Sequence, residues 1–226
     1  MSEQILDNAK ELDVKKALDN KDRFRVTIYG SARIKKDDEV YKQTFDLAKR
    51  IGLRGYDVIT GGGPGLMEAA NAGHTAGDKD DKVQSIGLRI ELDFEQTINE
   101  YVEFKSQFER FAERLETFAT LSNVFVLVPG GVGTMLELFY TWQLVQVKKM
   151  EYKPIILIGA MWERLIYWVI DYALKDNLIS SSDFDYIYIA KDNDEAMKLI
   201  DAFNEQYKKD GKLSPIEQYK SIKRAE

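Results

Sequence analysis

Short apolar runs alternate along the chain with stretches of helical periodicity. Arg25–Tyr29 and residues 56–60, 84–89, 124–128, 154–158 and 186–190 read as strands. Val124-Phe-Val-Leu-Val128 has no polar alternation, and its β-branched and aromatic residues fit a strand buried on both faces, as in a parallel sheet. Between the strands the period lengthens. Asp37 or Asp38 caps a helix that Val40, Phe45, Leu47, Ala48 and Ile51 carry to Gly55. Residues 66–76 form the next helix. Phe108, Phe111, Leu115, Phe118 and Ala119 predict another over 106–121. Met135, Leu136, Leu138, Phe139 and Trp142 recur at helical spacing, and further helices are expected over 161–174 and 194–207.

The two ends and one internal stretch are less regular. Ile5, Leu6, Ala9, Leu12 and Leu18 predict an N-terminal helix that packs on the domain or on a partner subunit. Residues 90–103 offer a short extended stretch or a lid. The tail from Lys208 onward is polar and is expected to fray or to lie across a neighbour. The resulting division is a helical extension over 1–22, one domain over 23–207 and a tail over 208–226.

Strands alternating with helices imply an α/β fold, a central parallel sheet with right-handed crossovers and helices on both faces. Glycine turns at Gly30, at 61–65 and at 130–133 then fall along the carboxyl edge of the sheet, where open α/β sheets place their ligands. Neither larger turn has the G-x-G-x-x-G pattern with a following acidic residue, nor the G-x-x-x-x-G-K-[ST] pattern, so dinucleotide binding and P-loop phosphoryl transfer are disfavoured.

The stretch Asn123-Val-Phe-Val-Leu-Val-Pro-Gly-Gly-Val-Gly-Thr134 is strand, glycine turn, helix start. Pro129 cannot donate to a ladder, and the glycines permit a sharp turn. Such a turn delivers free backbone N–H groups at a helix N-terminus, which binds anions, phosphate above all. Thr134 adds a hydroxyl, and Glu137 lies one turn further on the same face. A second reading stands beside this one. Thr134-x-x-Glu137 is also a capping box, and Gly130, Gly131 and Gly133 could simply shape the turn. Spacing leaves both readings open.

Composition narrows the classes. The chain has 226 residues, 44% hydrophobic and 31% charged, with a formal net charge of −6. No basic stripe suggests a nucleic-acid partner. There is no cysteine, which excludes disulfides, thiolate nucleophiles and cysteine-ligated zinc, and the one histidine leaves no multi-histidine metal site. His74 is expected to be a surface or packing residue. Glu68 either answers an anion or suits a helix start. The stretch MSEQILDNAKELDVKK lacks a signal-peptide h-region, and no apolar run approaches membrane-spanning length; a cytoplasmic setting without membrane contact is expected.

PGGVGTMLE, residues 129–137, resembles the PGGxGTxxE signature of the Lonely Guy family of Rossmann-like nucleotide phosphoribohydrolases, many of them once labelled lysine decarboxylases. Thr60-Gly-Gly-Gly-Pro-Gly-Leu-Met67 resembles the family's other glycine motif. The resemblance runs over roughly residues 26–158 and includes the GSAR turn and an IELxFEQ segment of its longer bacterial members. It implies a single Rossmann-like domain that hydrolyses the N-glycosidic bond of a nucleoside 5′-monophosphate, AMP or a cytokinin riboside monophosphate, without metal or organic cofactor. It implies Glu137 and Arg114 as catalytic residues. It implies substrate contacts at Gly30, Ser31, Gly62, Gly63, Pro129, Gly130, Gly131, Gly133 and Thr134, and again at Arg114. It also implies a homodimer or a larger even assembly.

The family pairs its helix arginine with a lysine, whereas Leu115 follows Arg114 here. Without the resemblance, Arg114 reads as a solvated arginine among Glu109, Arg110, Glu113 and Glu116. With it, arginine is too basic to donate a proton at neutral pH, so its role is to clamp the ligand or steer Glu137. Pyridoxal chemistry needs a Schiff-base lysine with a partner for the ring nitrogen, and no such pair stands out. The alternative of a different class is a non-catalytic nucleotide or molybdenum-cofactor carrier on the same scaffold.

Overall fold

The computed structural model describes residues 9–91 and 98–219. Eight strands run parallel in one sheet: β1 (Lys10–Glu11), β2 (Arg25–Tyr29), β3 (Asp57–Thr60), β4 (Ser85–Ile90), β5 (Phe104–Phe108), β6 (Val124–Leu127), β7 (Ile155–Ile158) and β8 (Ile187–Ala190). Their spatial order is β1-β5-β4-β3-β2-β6-β7-β8. From β2 the chain steps outward through β3 and β4 to β5, then returns to place β6 on the other side of β2. The gap between β2 and β6 is therefore the topological switch point.

The apolar runs are buried on both faces, as their composition predicts. Val26 and Ile28 of β2, Val124 and Val126 of β6, and Ile156 of β7 enter one cluster. That cluster is covered by α2 (Glu39–Leu53), α3 (Leu66–Gly77) and α7 (Asn193–Asp210). Tyr29, Phe125, Leu127, Ile155 and Leu157 point the other way. They pack under α1 (Val14–Asp19), α4 (Phe111–Leu121), α5 (Val132–Gln146) and α6 (Ala160–Val169). Helices thus lie on both faces of the parallel sheet. Asp38 caps α2 by accepting the Val40 N–H at 2.8 Å. Gly211, at φ 67°, ends α7 in the left-handed conformation that favours glycine.

Three expectations are corrected. Residues 104–108 form a strand, so the helix begins only at Phe111. The open edge of β4 needs a partner, and pairing from Ile86↔Phe104 to Ile90↔Phe108 overrides the helical spacing of Phe108. The N-terminal region is not one helix. Lys10 and Leu12 donate to Glu103 O and Lys105 O at 2.7 and 2.6 Å, which adds β1 to the edge of β5, and Asp13 then caps the short α1; residues 1–8 lie outside the described part. The tail does not fray over its described length. Leu213, Ile216 and Tyr219 pack against the core, and Ile216 N–H donates to the Tyr188 hydroxyl at 3.2 Å. Most of the expected lid, residues 92–97, lies outside the described residues. The segment after it is tied down: Asn99 donates from its backbone to Gly62 O at 2.8 Å and from its side chain to Gly63 O at 3.0 Å. Among the described residues no helix is long and apolar enough to cross a membrane.

Candidate functional site

The strands β2, β3, β4 and β6 end at one edge of the sheet, and a cleft of about 500 Å³ opens there. Gly30, Ser31 and Gly63 line it, as do Gly131, Gly133 and Thr134. Arg114 and Glu137 reach it from α4 and α5. Gly62, Pro129 and Gly130 stand behind the lining. Gly62, at φ 73°, backs onto Gly87 and Ile98. Pro129 O accepts the Ser31 N–H at 3.1 Å and joins the two loops. A Cβ on Gly130 would overlap the Thr134 side chain.

The N-terminus of α5 removes one of the two readings of the central motif. The helix starts at Val132, its N-cap is Gly131, and no side chain caps it. The Thr134/Glu137 capping box is therefore not formed. Met135 N–H donates to Gly131 O at 2.9 Å, whereas the N–H groups of Val132, Gly133 and Thr134 have no acceptor among the described residues. Neither Gly131 nor Gly133 has a positive φ, and a Cβ on either would meet nothing within 4 Å. Backbone and packing do not require glycine at these two positions. Its effect is to keep the space beside three free N–H groups open, in the positive end of the helix dipole.

Glu137 sits below that space. Its side chain is 13% exposed, and its Oε1 lies 3.3 Å from Nη1 of Arg114. Burial pushes its pKa up to about 7, although Arg114 draws it down. Arg114 is not solvated. It is 7% exposed, donates from Nε to Leu88 O at 2.6 Å, and holds its guanidinium carbon 5.0 Å over the Phe118 ring. Its other terminal nitrogen lies against Gly61, where any Cβ would overlap it. Gly61 thus makes room for the arginine. The arginine bridges the end of β4 to α5 and holds the carboxylate. Leu115 is buried at 5% exposure, so position 115 brings no cation to the cleft.

Several lining residues fall outside the expected site set: Arg89 and Phe111, and also Arg33, Gly61 and Met67, which belong to the GSAR turn and the second glycine motif. Arg89 ends a strand at the carboxyl edge, and that position is the signal that could have found it, as it places the GSAR turn that carries Arg33. Phe111 reads as core from its spacing but stands 49% exposed at the lip. Two other candidates resolve as structural. His74 is 1% exposed, with Nε2 3.0 Å from Tyr56 O, and burial lowers its pKa. Glu68 pairs with Lys36 at 2.6 Å. The acidic cluster Asp78, Asp81 and Glu103 lies at the amino ends of β4 and β5, the edge away from the cleft.

Comparison with known proteins agrees with this architecture. A family model described as "possible lysine decarboxylase" matches residues 67–200. The pyrimidine/purine nucleotide 5′-monophosphate nucleosidase of Escherichia coli strain K12 is 26% identical over 202 residues, 87% of this chain. The chain spans only 43% of that relative's length. Among solved structures, the molybdenum cofactor binding protein of Rippkaea orientalis superposes with a TM-score of 0.61 at 19% identity, over 80% of this chain and 98% of its own. The molybdenum cofactor carrier protein of Chlamydomonas reinhardtii gives 0.60 at 20% identity, over 81% and 99%. At such identities these structures share the fold alone. The family model covers more than half of the sequence and includes nearly all of α3 and the whole PGGxGTxxE signature, so the chain belongs to the family described as possible lysine decarboxylase, the Lonely Guy family.

Proposed function

We propose that this protein is a nucleoside 5′-monophosphate phosphoribohydrolase, which cleaves the N-glycosidic bond of AMP or a cytokinin riboside 5′-monophosphate. The observation that carries the reading is one juxtaposition. An uncapped helix N-terminus and a buried, arginine-held carboxylate share one cleft. The N–H groups of residues 132–134 take the 5′-phosphate, and the Gly30 turn forms the facing wall. Glu137 then lies by the ribose. As the C1′–N bond breaks, its electron pair goes to the base and positive charge grows on C1′. The carboxylate stabilises that charge and accepts a proton from the attacking water, whose oxygen bonds C1′. The proton passes on to the departing base, leaving free base and ribose 5-phosphate. Arg114 is a positioning residue in this scheme, because it gives one donor to Leu88 O and another to Glu137 and so fixes the carboxylate.

The nucleosidase likeness supports the reaction class, and the "decarboxylase" description finds no counterpart in the site. No lysine lines the cleft among the described residues. Lys153, whose pKa burial lowers to about 8, donates to Ala119 O and Thr120 O at the far end of α4. The test is incubation with AMP and detection of free adenine and ribose 5-phosphate. Tight AMP binding without adenine release would favour a non-catalytic carrier.

A further inference from the structure

We propose that Arg33 is the residue that reads the phosphate charge, so that the cleft selects nucleoside 5′-monophosphates over nucleosides. The inference rests on the hydrolase reading for the identity of the ligand and assigns its charge recognition to a residue outside the glycine signature.

A helix N-terminus offers about half a positive charge. A phosphomonoester brings roughly −1.5 to −2 at neutral pH. The N–H groups of α5 leave most of that charge unmatched, and a cation nearby is needed. The candidates are few. Arg114 pairs its charge with the Glu137 carboxylate and gives a further donor to Leu88 O. Lys36 is paired with Glu68. Position 115 is a buried leucine. Arg89 enters the cleft from the end of β4, three strands away from β6, or roughly 14 Å at about 4.8 Å per strand. Arg33 follows β2, the immediate neighbour of β6, and so stands on the phosphate side.

The backbone that carries Arg33 is well fixed. Ser31 donates its N–H to Pro129 O at 3.1 Å, and Ser31 O accepts the Leu66 N–H at 2.9 Å. The Arg33 N–H donates to the Ser31 hydroxyl at 3.1 Å. A Cβ on Gly30 would approach Val128 Cγ2 to 2.6 Å, so that residue is locked against its neighbours. The side chain, by contrast, is exposed within the cleft, and no carboxylate pairs with it among the described residues. A fixed stem with an uncommitted guanidinium in the same cleft as free helix N–H groups suits a planar fork that binds two phosphate oxygens.

The test titrates AMP, adenosine and ribose 5-phosphate into the parent protein, Arg33→Ala and Arg33→Lys, and measures adenine release from AMP beside it. Arg33→Ala should weaken AMP and ribose 5-phosphate by about tenfold, the size of one charge-assisted hydrogen bond. It should leave adenosine unaffected and flatten the salt dependence of AMP binding. In turnover, KM should rise with kcat nearly unchanged, as expected when uniform binding is lost. Arg33→Lys should recover part of the affinity. Unchanged AMP affinity in Arg33→Ala, or an equal loss for adenosine, would overturn the inference. A parent that binds ribose 5-phosphate through Arg33 but releases no base loses the hydrolase reading and keeps this one. A parent that binds neither phosphate compound overturns both.

Discussion

Replacing Glu137 with glutamine separates a catalytic carboxylate from a structural one, and the structure sets the sign of both effects. Glutamine keeps the shape and still offers Arg114 an oxygen acceptor. What changes is the charge. The carboxyl has an ordinary pKa of 4.5 and is raised to about 7 by burial. A carboxyl raised in this way disfavours the folded state once it ionises. The penalty is absent below the unfolded value, grows as pH rises between 4.5 and about 7, and is complete above that. At about 1.4 kcal/mol per pH unit it amounts to about 3 kcal/mol, an upper figure because the group retains some solvent. The Glu137→Gln protein should therefore be as stable as the parent near pH 4.5, and more stable by about 1–3 kcal/mol at pH 8. It should bind ribose 5-phosphate normally and lose roughly 10²–10⁴-fold in adenine release. Stability gained with activity lost is the mark of a group kept for function. The assay is paired: denaturation at two pH values, and adenine release at the higher one. Near-parental release would refute the mechanism. A loss of stability at pH 8 would refute the electrostatic account of the site.

Three further outcomes are expected. The kcat/KM for AMP should rise with pH along a limb centred near 7, since only the carboxylate takes a proton from water; the phosphate's own ionisation, near 6, is separated by the residual rate of Glu137→Gln, which should keep that limb alone. Gly133→Val should fold with unchanged melting temperature and lose ribose 5-phosphate binding, because its side chain enters empty cleft rather than protein; retained binding would remove the phosphate site from α5. We expect a homodimer or a larger even assembly that covers Val132, Leu136 and Phe139, a stripe on α5 that is 84%, 46% and 43% exposed; a monomeric mass by light scattering at micromolar concentration would count against it.

Much of the framework is legible in the chain because its signals are local. An apolar run without polar alternation, as at 124–128, marks a strand buried on both faces, and the structure finds a strand at each of the six places where a strand is read. Glycine turns after β2, β3 and β6 mark the carboxyl edge, where the cleft lies. Asp37 or Asp38 reads as a cap because a short acceptor before an amphipathic run satisfies a free N–H wherever it occurs, and Asp38 is the one that does so.

The tertiary structure alone decided which partners those local signals meet. Periodicity over residues 106–121 is helical, yet residues 104–108 are a strand, because the edge of β4 offered hydrogen bonds that no nearby sequence announces. Thr134 and Glu137 have the spacing of a capping box, and it stays unformed because the helix begins at Val132 and Arg114 holds the carboxylate. Arg114 sits among charged neighbours in sequence and is buried in space, where Gly61 clears its path and Leu88 supplies an acceptor. Propensity and spacing act over one or two turns of chain. The pairing of a carboxylate, an arginine and an open helix end depends on sheet order, which brings together residues from β3, β4, α4 and α5 that the sequence keeps far apart.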